Sequence, residues 1–75
     1  MNELFYLEDH PHVALCNLLK MVGVSETGGQ GKMMVAEGLI KVNGQVELRK
    51  TAKIVAGSIV TGDGFKIEVR AGFDE

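Results

Sequence analysis

The first part of the chain alternates between a short apolar run and a segment with helical spacing. Leu4–Leu7 is apolar and aromatic, which suits a strand better than a helix. Asp9-His10-Pro11 then predicts a helix start, with Pro11 at the first helical position. An apolar stripe at helical spacing follows: Leu15, Leu18, Leu19 and Val22. Gly23 is placed to end this helix.

A second helix is predicted from Thr27 onward. Thr27 is followed three residues later by Gln30, which is the spacing of a capping box. The small residues on one face of the helix predict close packing against the first helix, and that face carries Gly31, Met34, Val35 and Gly38. Gly38 is also placed to end the helix.

From Leu39 the pattern changes to that of strands. Leu39–Val42 and Val46–Leu48 flank Asn43-Gly44, which is a strong hairpin signal. A two-residue loop would set Val42 opposite Gln45 and mix apolar and polar residues on each face. A three-residue loop or a bulge would set Val42 opposite Val46, and we favour that register.

A second hairpin is predicted after a turn at Ala56-Gly57. Its strands are Ile59–Thr61 and Phe65–Arg70, around Gly62-Asp63-Gly64. The last strand alternates, with its apolar residues inward: Phe65, Ile67 and Val69. Residues 71–75 are expected to fray.

The resulting order, β-α-α-β-β-β-β, predicts an α+β fold in which two packed helices lie against a small, mostly antiparallel sheet. With 75 residues, the chain has room for a single domain spanning 1–75. A domain of this size buries only about 60% of its unfolded surface, so we expect modest stability.

Charge is distributed unevenly along the chain. The net charge is −2, but the carboxylates concentrate at the two ends. The middle carries five cations, offset only by Glu37 and Glu47: Lys32, Lys41, Arg49, Lys50 and Lys53. Because salt screens charges beyond about 8–10 Å, the local cluster decides attraction to phosphate. A solvated polar face is the competing interpretation.

Several classes of function are disfavoured by the sequence. The lone Cys16 cannot build a disulfide framework, and no signal peptide or run of about 18 apolar residues is visible, so we expect a cytoplasmic protein with no membrane partner. His10 and His12 have no further ligands at metal-site spacing, and no phosphate-binding loop is present. We therefore expect no enzyme activity, no cofactor, no metal and no small-molecule substrate.

Three segments together resemble a known family. Thr27-Gly28-Gly29-Gln30-Gly31-Lys32 opens the second helix, and Val42-Asn43-Gly44-Gln45-Val46-Glu47-Leu48-Arg49-Lys50 follows, with Lys53 after it. The ordered set resembles the RNA-binding domain first named for ribosomal protein S-four, also called the alpha-L motif, and in particular its stand-alone bacterial form, the YbcJ-like proteins. The resemblance covers about residues 15–60.

The resemblance implies non-catalytic binding of structured RNA, ribosomal or tRNA-like, with the ribosome as a candidate partner, and we expect a monomer. The expected surface is basic and combines the second helix with the segment after the hairpin. Its candidate residues are Gly28, Gly29, Lys32, Lys41, Asn43, Arg49, Lys50 and Lys53.

Two of these assignments have competing interpretations. Gly28 and Gly29 would leave the helix N-terminus open to a phosphate oxygen, or would serve close packing of the helices. Asn43 is first a turn residue, whose amide could also reach an RNA 2′-OH. The alternative function is a protein–protein interaction module without direct RNA contact.

Overall fold

Two helices and seven short strands make up the part of the chain that the computed structural model describes, residues 1–74. The helices are Leu15–Met21 (α1) and Gly28–Ala36 (α2). The strands are Asn2–Tyr6 (β1), Val13–Ala14 (β2), Lys41–Val42 (β3), Gln45–Val46 (β4), Lys53–Ile54 (β5), Ile59–Gly62 (β6) and Phe65–Arg70 (β7). Neither described helix has the length and apolar character needed to span a bilayer.

The main sheet has five strands in the order β1-β7-β6-β3-β4. Strand β1 runs parallel to β7, and the other pairs are antiparallel. The predicted α+β class and the mostly antiparallel sheet are therefore confirmed. The pairing of β2 with β5, in a separate two-stranded ladder, was not predicted.

One buried cluster joins the helices to the sheet. As predicted, the stripe of α1 and the inward residues of β7 point into it, with Ile67 and Val69 almost fully buried. Burying a large aliphatic side chain contributes about 1.5–3 kcal/mol, so this cluster is the main source of stability. Its members are Leu7, Leu15, Leu18, Leu19, Val35, Ile40, Ala52, Ile54, Val60, Ile67 and Val69.

The first helix begins at Leu15, so the predicted start at Pro11 is wrong. Val13 and Ala14 are extended and pair with Ile54 and Lys53 of β5. The N–H of Leu15 then donates to the Ala52 carbonyl at 2.9 Å. These partners lie about forty residues away along the chain, and they hold the segment straight until the helix begins.

The second helix begins as predicted. The Thr27 hydroxyl accepts from the Gln30 N–H at 3.0 Å, which confirms the N-cap. The Gln30 side chain accepts from the N–H of Glu26, one residue before the cap, at 2.7 Å. Gly38 has a φ of +77°, and its N–H donates to the Val35 carbonyl at 3.1 Å, so it follows the helix end as predicted.

The two helices are tightly packed at Gly31, as the small residues of α2 predicted. A Cβ at Gly31 would lie 3.0 Å from the Cys16 carbonyl oxygen and 3.1 Å from the Ser25 hydroxyl. A larger residue would therefore push the helices apart. Cys16, on the facing side of α1, is buried.

The hairpin of β3 and β4 has a two-residue loop, and the favoured three-residue loop or bulge is wrong. Val42 lies opposite Gln45, and Lys41 lies opposite Val46. Asn43 and Gly44 have φ values of 53° and 85°, and a type I′ turn requires positive φ at both positions. Both residues of β4 are exposed at the sheet edge, so the mixed faces bury no polar group.

The C-terminal segment contacts the N-terminal half at Gly72. The N–H of Glu8 donates to the Gly72 carbonyl at 2.6 Å, and the two residues form an isolated bridge. The predicted fraying of 71–75 stays a prediction for the segment as a whole, and Glu75 lies outside the described residues.

Candidate RNA-binding surface

A groove of about 820 Å³ lies between the start of α2 and the segment that follows β4. Four of the five clustered cations line it, although they come from two separate parts of the chain. We call this surface the basic groove, and its lining residues are Lys32, Leu48, Arg49, Lys50, Thr51, Ala52 and Lys53.

Main-chain hydrogen bonds fix one wall of the basic groove. The carbonyls of Lys50 and Ala52 accept from the N–H groups of Cys16 and Leu15, at 3.1 and 2.9 Å. Lys53 continues the wall in β5, opposite Ala14. The three basic side chains of this wall therefore project from a backbone that is tied to the first turn of α1.

The packing of the two helices brings the other wall into place. Lys32 follows Gly31, which lies against Cys16, and Cys16 is hydrogen-bonded to Lys50. Close helix contact at Gly31 thus sets the distance between Lys32 and the segment after the hairpin. A basic patch assembled in this way depends on the fold and not on one run of sequence.

Arg49 is paired with a carboxylate at the side of the groove. Its Nε and Nη2 donate to Glu47 Oε2 and Oε1 at 3.1 and 3.0 Å. These side-chain bonds, with a bond from the Arg49 backbone N–H, lower the pKa of Glu47 to about 2. The same pair raises the pKa of Arg49 above its ordinary value.

The three lysines of the groove are exposed, and among residues 1–74 none of them forms an ion pair. Lysine and arginine attract phosphate by charge, and arginine can also bind two oxygens at once. The groove is therefore a strongly positive surface on a chain whose net charge is −2.

Two predicted site residues lie elsewhere. Lys41 borders a different depression, together with Leu39, Thr61 and Asp63. The Asn43 side chain accepts from the Ile59 N–H at 2.9 Å, so its amide oxygen holds the hairpin against β6. The structure thus places Asn43 in its turn role and leaves both residues outside the basic groove.

The two glycines at the start of α2 have open space around them. A Cβ at Gly28 would have no neighbour within 4 Å, and one at Gly29 would meet only the Thr27 hydroxyl at 3.9 Å. Packing against the other helix therefore does not explain them, and Gly31 has that role. Their backbone is accessible one turn before Lys32.

The sequence did not predict three other residues that line the groove, because their types carry no charge that would attract phosphate: Leu48, Thr51 and Ala52. Their position between the basic residues of the sequence was the available signal. The pairing of Glu47 with Arg49 was not predicted, although opposite charges two residues apart in an extended segment can pair on one side.

The two cations of the last strand do not line the basic groove. Lys66 borders a depression with Asn2, Glu3 and Leu4, and Arg70 lies beside Gly57 and pairs with Glu68. Within the described part of the chain, no group of three or more His, Cys, Asp or Glu side chains could hold a metal ion.

Comparison with known proteins gives consistent results. The chain matches the S4 domain family over residues 5–70. It is 54% identical over 67 residues to YbcJ of Escherichia coli (strain K12), covering 89% of this chain and 96% of the relative, and equally identical to YbcJ of Shigella flexneri. The solution structure of E. coli YbcJ, described as revealing an alfaL motif involved in RNA-binding, superposes with a TM-score of 0.72 at 53% identity, covering 91% of this chain and 86% of that one. With the confirmed α+β fold and the motif residues in place, the chain belongs to the S4 domain family.

Proposed function

We propose that this protein binds structured RNA, ribosomal or tRNA-like, through the basic groove and without catalysis. The observation that carries the proposal is the convergence of Lys32 with Arg49, Lys50 and Lys53 on one groove. Membership of a family whose solved relative is described as having a motif involved in RNA-binding supports it. We further propose that the protein acts as a monomer in the cytoplasm.

The composition of the groove favours backbone recognition of folded RNA. Double-helical RNA hides its base edges in a deep, narrow major groove, so proteins read it by shape and phosphate contacts. Binding of single strands instead relies on aromatic side chains that stack on bases. No described aromatic residue lines the basic groove, whereas four cations do.

The start of α2 extends the proposed surface. Gly28 and Gly29 leave the backbone open to approach, and the N-terminus of a helix attracts anions through its N–H groups and its dipole. Glycine at these positions costs about 1 kcal/mol of helix propensity relative to alanine. Close approach of an RNA phosphate is our explanation for that cost.

The decisive experiment is an alanine series with matched controls. Lys32→Ala, Lys50→Ala and Lys53→Ala should each weaken binding to a folded RNA across different sequences, because each removes a phosphate contact. Lys66→Ala and Arg70→Ala remove the same charge from another face and should change affinity little. If these controls weaken binding as much as the groove variants do, the proposed surface is wrong.

A protein-interaction module is the second candidate. Val46 and Leu48 are about half exposed or more, and both side chains converge near Gly38. Exposed apolar residues that are grouped together are typical of contact surfaces. Titration of the unmodified protein with folded RNA decides between the two candidates. Absence of binding to any folded RNA at low salt would leave only the protein partner.

A further inference from the structure

We propose that Glu47 is a positioning residue of the basic groove, which holds the Arg49 guanidinium so that its free edge binds a phosphate of the RNA. This inference rests on the proposed function and assigns a role to the acidic residue beside the cationic cluster. A carboxylate next to a phosphate site would otherwise only repel the ligand.

The geometry of the ion pair leaves one edge of the guanidinium available. Arg49 uses Nε and one N–H of Nη2 to bind the two oxygens of Glu47. A guanidinium carries five N–H groups in a plane, so both N–H groups of Nη1 and the second of Nη2 remain. One N–H of Nη1 and the second N–H of Nη2 point in parallel from the end of the guanidinium, and that fork matches two oxygens of a phosphate.

The carboxylate is itself held in place. Oε2 of Glu47 also accepts from the backbone N–H of Arg49 at 3.0 Å. The backbone N–H of Glu47 donates to the carbonyl of Ile40, a fully buried residue, at 3.0 Å. The guanidinium is therefore tied to the protein core through a short series of hydrogen bonds, which restricts a side chain that otherwise loses considerable entropy on binding.

The exposure of the two partners indicates positioning and not masking. The Glu47 side chain is 18% exposed, whereas the Arg49 side chain is 79% exposed. Arg49 lines the basic groove, and Glu47 is not among its lining residues. The carboxylate thus lies behind the guanidinium, and an incoming phosphate would meet the cation first.

A second pair in the same chain provides a matched control. Glu68 and Arg70 have the same spacing and form an ion pair, with one side-chain hydrogen bond at 2.9 Å. Arg70 does not border the basic groove. Glu68→Gln therefore changes the net charge exactly as much as Glu47→Gln does, but it alters no group that we place at the RNA.

A double-mutant cycle on RNA affinity tests the inference. Arg49→Ala should weaken binding about tenfold, as expected for loss of a charged hydrogen-bonded contact. Glu47→Gln should weaken it about threefold when Arg49 is present, even though the variant is more positive, and should cause no loss when Arg49 is alanine. Glu68→Gln should cause no loss. If Glu47→Gln strengthens binding while Arg49 is present, the carboxylate masks the guanidinium. If it leaves binding unchanged, the carboxylate does not position the guanidinium for RNA. Either result overturns the inference.

A measurement on the protein without RNA tests whether Glu47 restricts the Arg49 guanidinium. The Arg49 Nε–H should give a distinct, slowly exchanging NMR signal, and Glu47→Gln should broaden or shift it toward the values of free arginine. An unchanged signal would also overturn the inference. If the unmodified protein binds no RNA, the proposed function fails; if it binds RNA but the cycle has the wrong sign, only the role of Glu47 fails.

Discussion

The Glu47 carboxyl has a pKa well below that of an ordinary glutamate. Its pKa is lowered from 4.5 to about 2, mainly by the hydrogen bonds from the Arg49 side chain. A folded-state pKa below the unfolded value means that the charged pair contributes stability above about pH 4.5, and that this contribution is lost as pH falls toward 2. Because Arg49 is highly exposed, the effect should be modest.

The expected result is a carboxyl titration of Glu47 with its midpoint near pH 2, followed by carbon-13 NMR. The unfolding free energy of the parent protein should fall between pH 4.5 and 2, and part of that fall should be absent in Glu47→Gln. Glu68→Gln is the comparison for a similar ion pair on β7. A Glu47 midpoint near 4.5 would show that the pair does not persist in solution.

Single residues also show what the sequence could predict about the site. The cations of the groove were recognisable from their type and clustering, since only arginine and lysine supply permanent positive charge. Asn43 was ambiguous, because an asparagine with positive φ can use its amide for the fold or for a ligand. The bond from the Ile59 N–H, sixteen residues away, gives the amide oxygen a role in the fold, and no local pattern reveals it.

Between the elements, α1 and α2 leave little space for a side chain at Gly31. At Gly31, a methyl group would lie 3.0 Å from a backbone carbonyl, whereas at Gly29 it would meet only a side-chain oxygen at 3.9 Å. Overpacking costs about 1–3 kcal/mol, and alanine gains about 1 kcal/mol of helix propensity over glycine. Gly31→Ala should therefore lower the unfolding free energy by about 1 kcal/mol, and Gly29→Ala should raise it by about 0.5–1 kcal/mol.

Thermal unfolding measures both variants directly. A change of 1 kcal/mol corresponds to about 4–8 °C in Tm for a domain of 60–100 residues. The two substitutions are chemically identical and lie in the same helix, so each controls for the other. Equal changes of the same sign in Tm would mean that Gly31 is no more tightly packed against its neighbours than Gly29 is.

Element boundaries were predicted well where local chemistry sets them. Thr27, Gly23 and Gly38 delimit their helices through caps and positive φ, and these signals lie within a few residues of the boundary. The start of α1 was not predicted correctly, because Val13 and Ala14 pair with β5, which lies far away along the chain. The hairpin register was missed because burial was assumed for β4, which is exposed at the sheet edge.

Over the whole molecule, the arrangement of charge matters more than its sum. Half of the carboxylates lie near the chain ends, while four cations line one groove beside the helix pair. Salt screens charges beyond about 8–10 Å, so a bound phosphate would respond to the groove and only weakly to the distant acidic residues. The sequence predicted this cluster, but only the structure shows that its two segments line one groove and that Lys41 borders a different depression.

Salt dependence is the measurement that reports this arrangement. Each phosphate contact contributes about −0.7 to −0.9 to the slope of log affinity against log salt, so four contacts predict a slope of about −2.8 to −3.6. Affinity for a folded RNA should then fall about 50- to 150-fold between 50 and 200 mM salt. The combined variant Lys32→Ala, Lys50→Ala and Lys53→Ala should retain a slope of about −0.7 to −0.9, from Arg49 alone. Lys66→Ala combined with Arg70→Ala also removes cations, but from other faces, and should keep the parent slope. A parent slope no steeper than about −1, or one that the groove variants leave unchanged, would show that the bound RNA does not contact these cations.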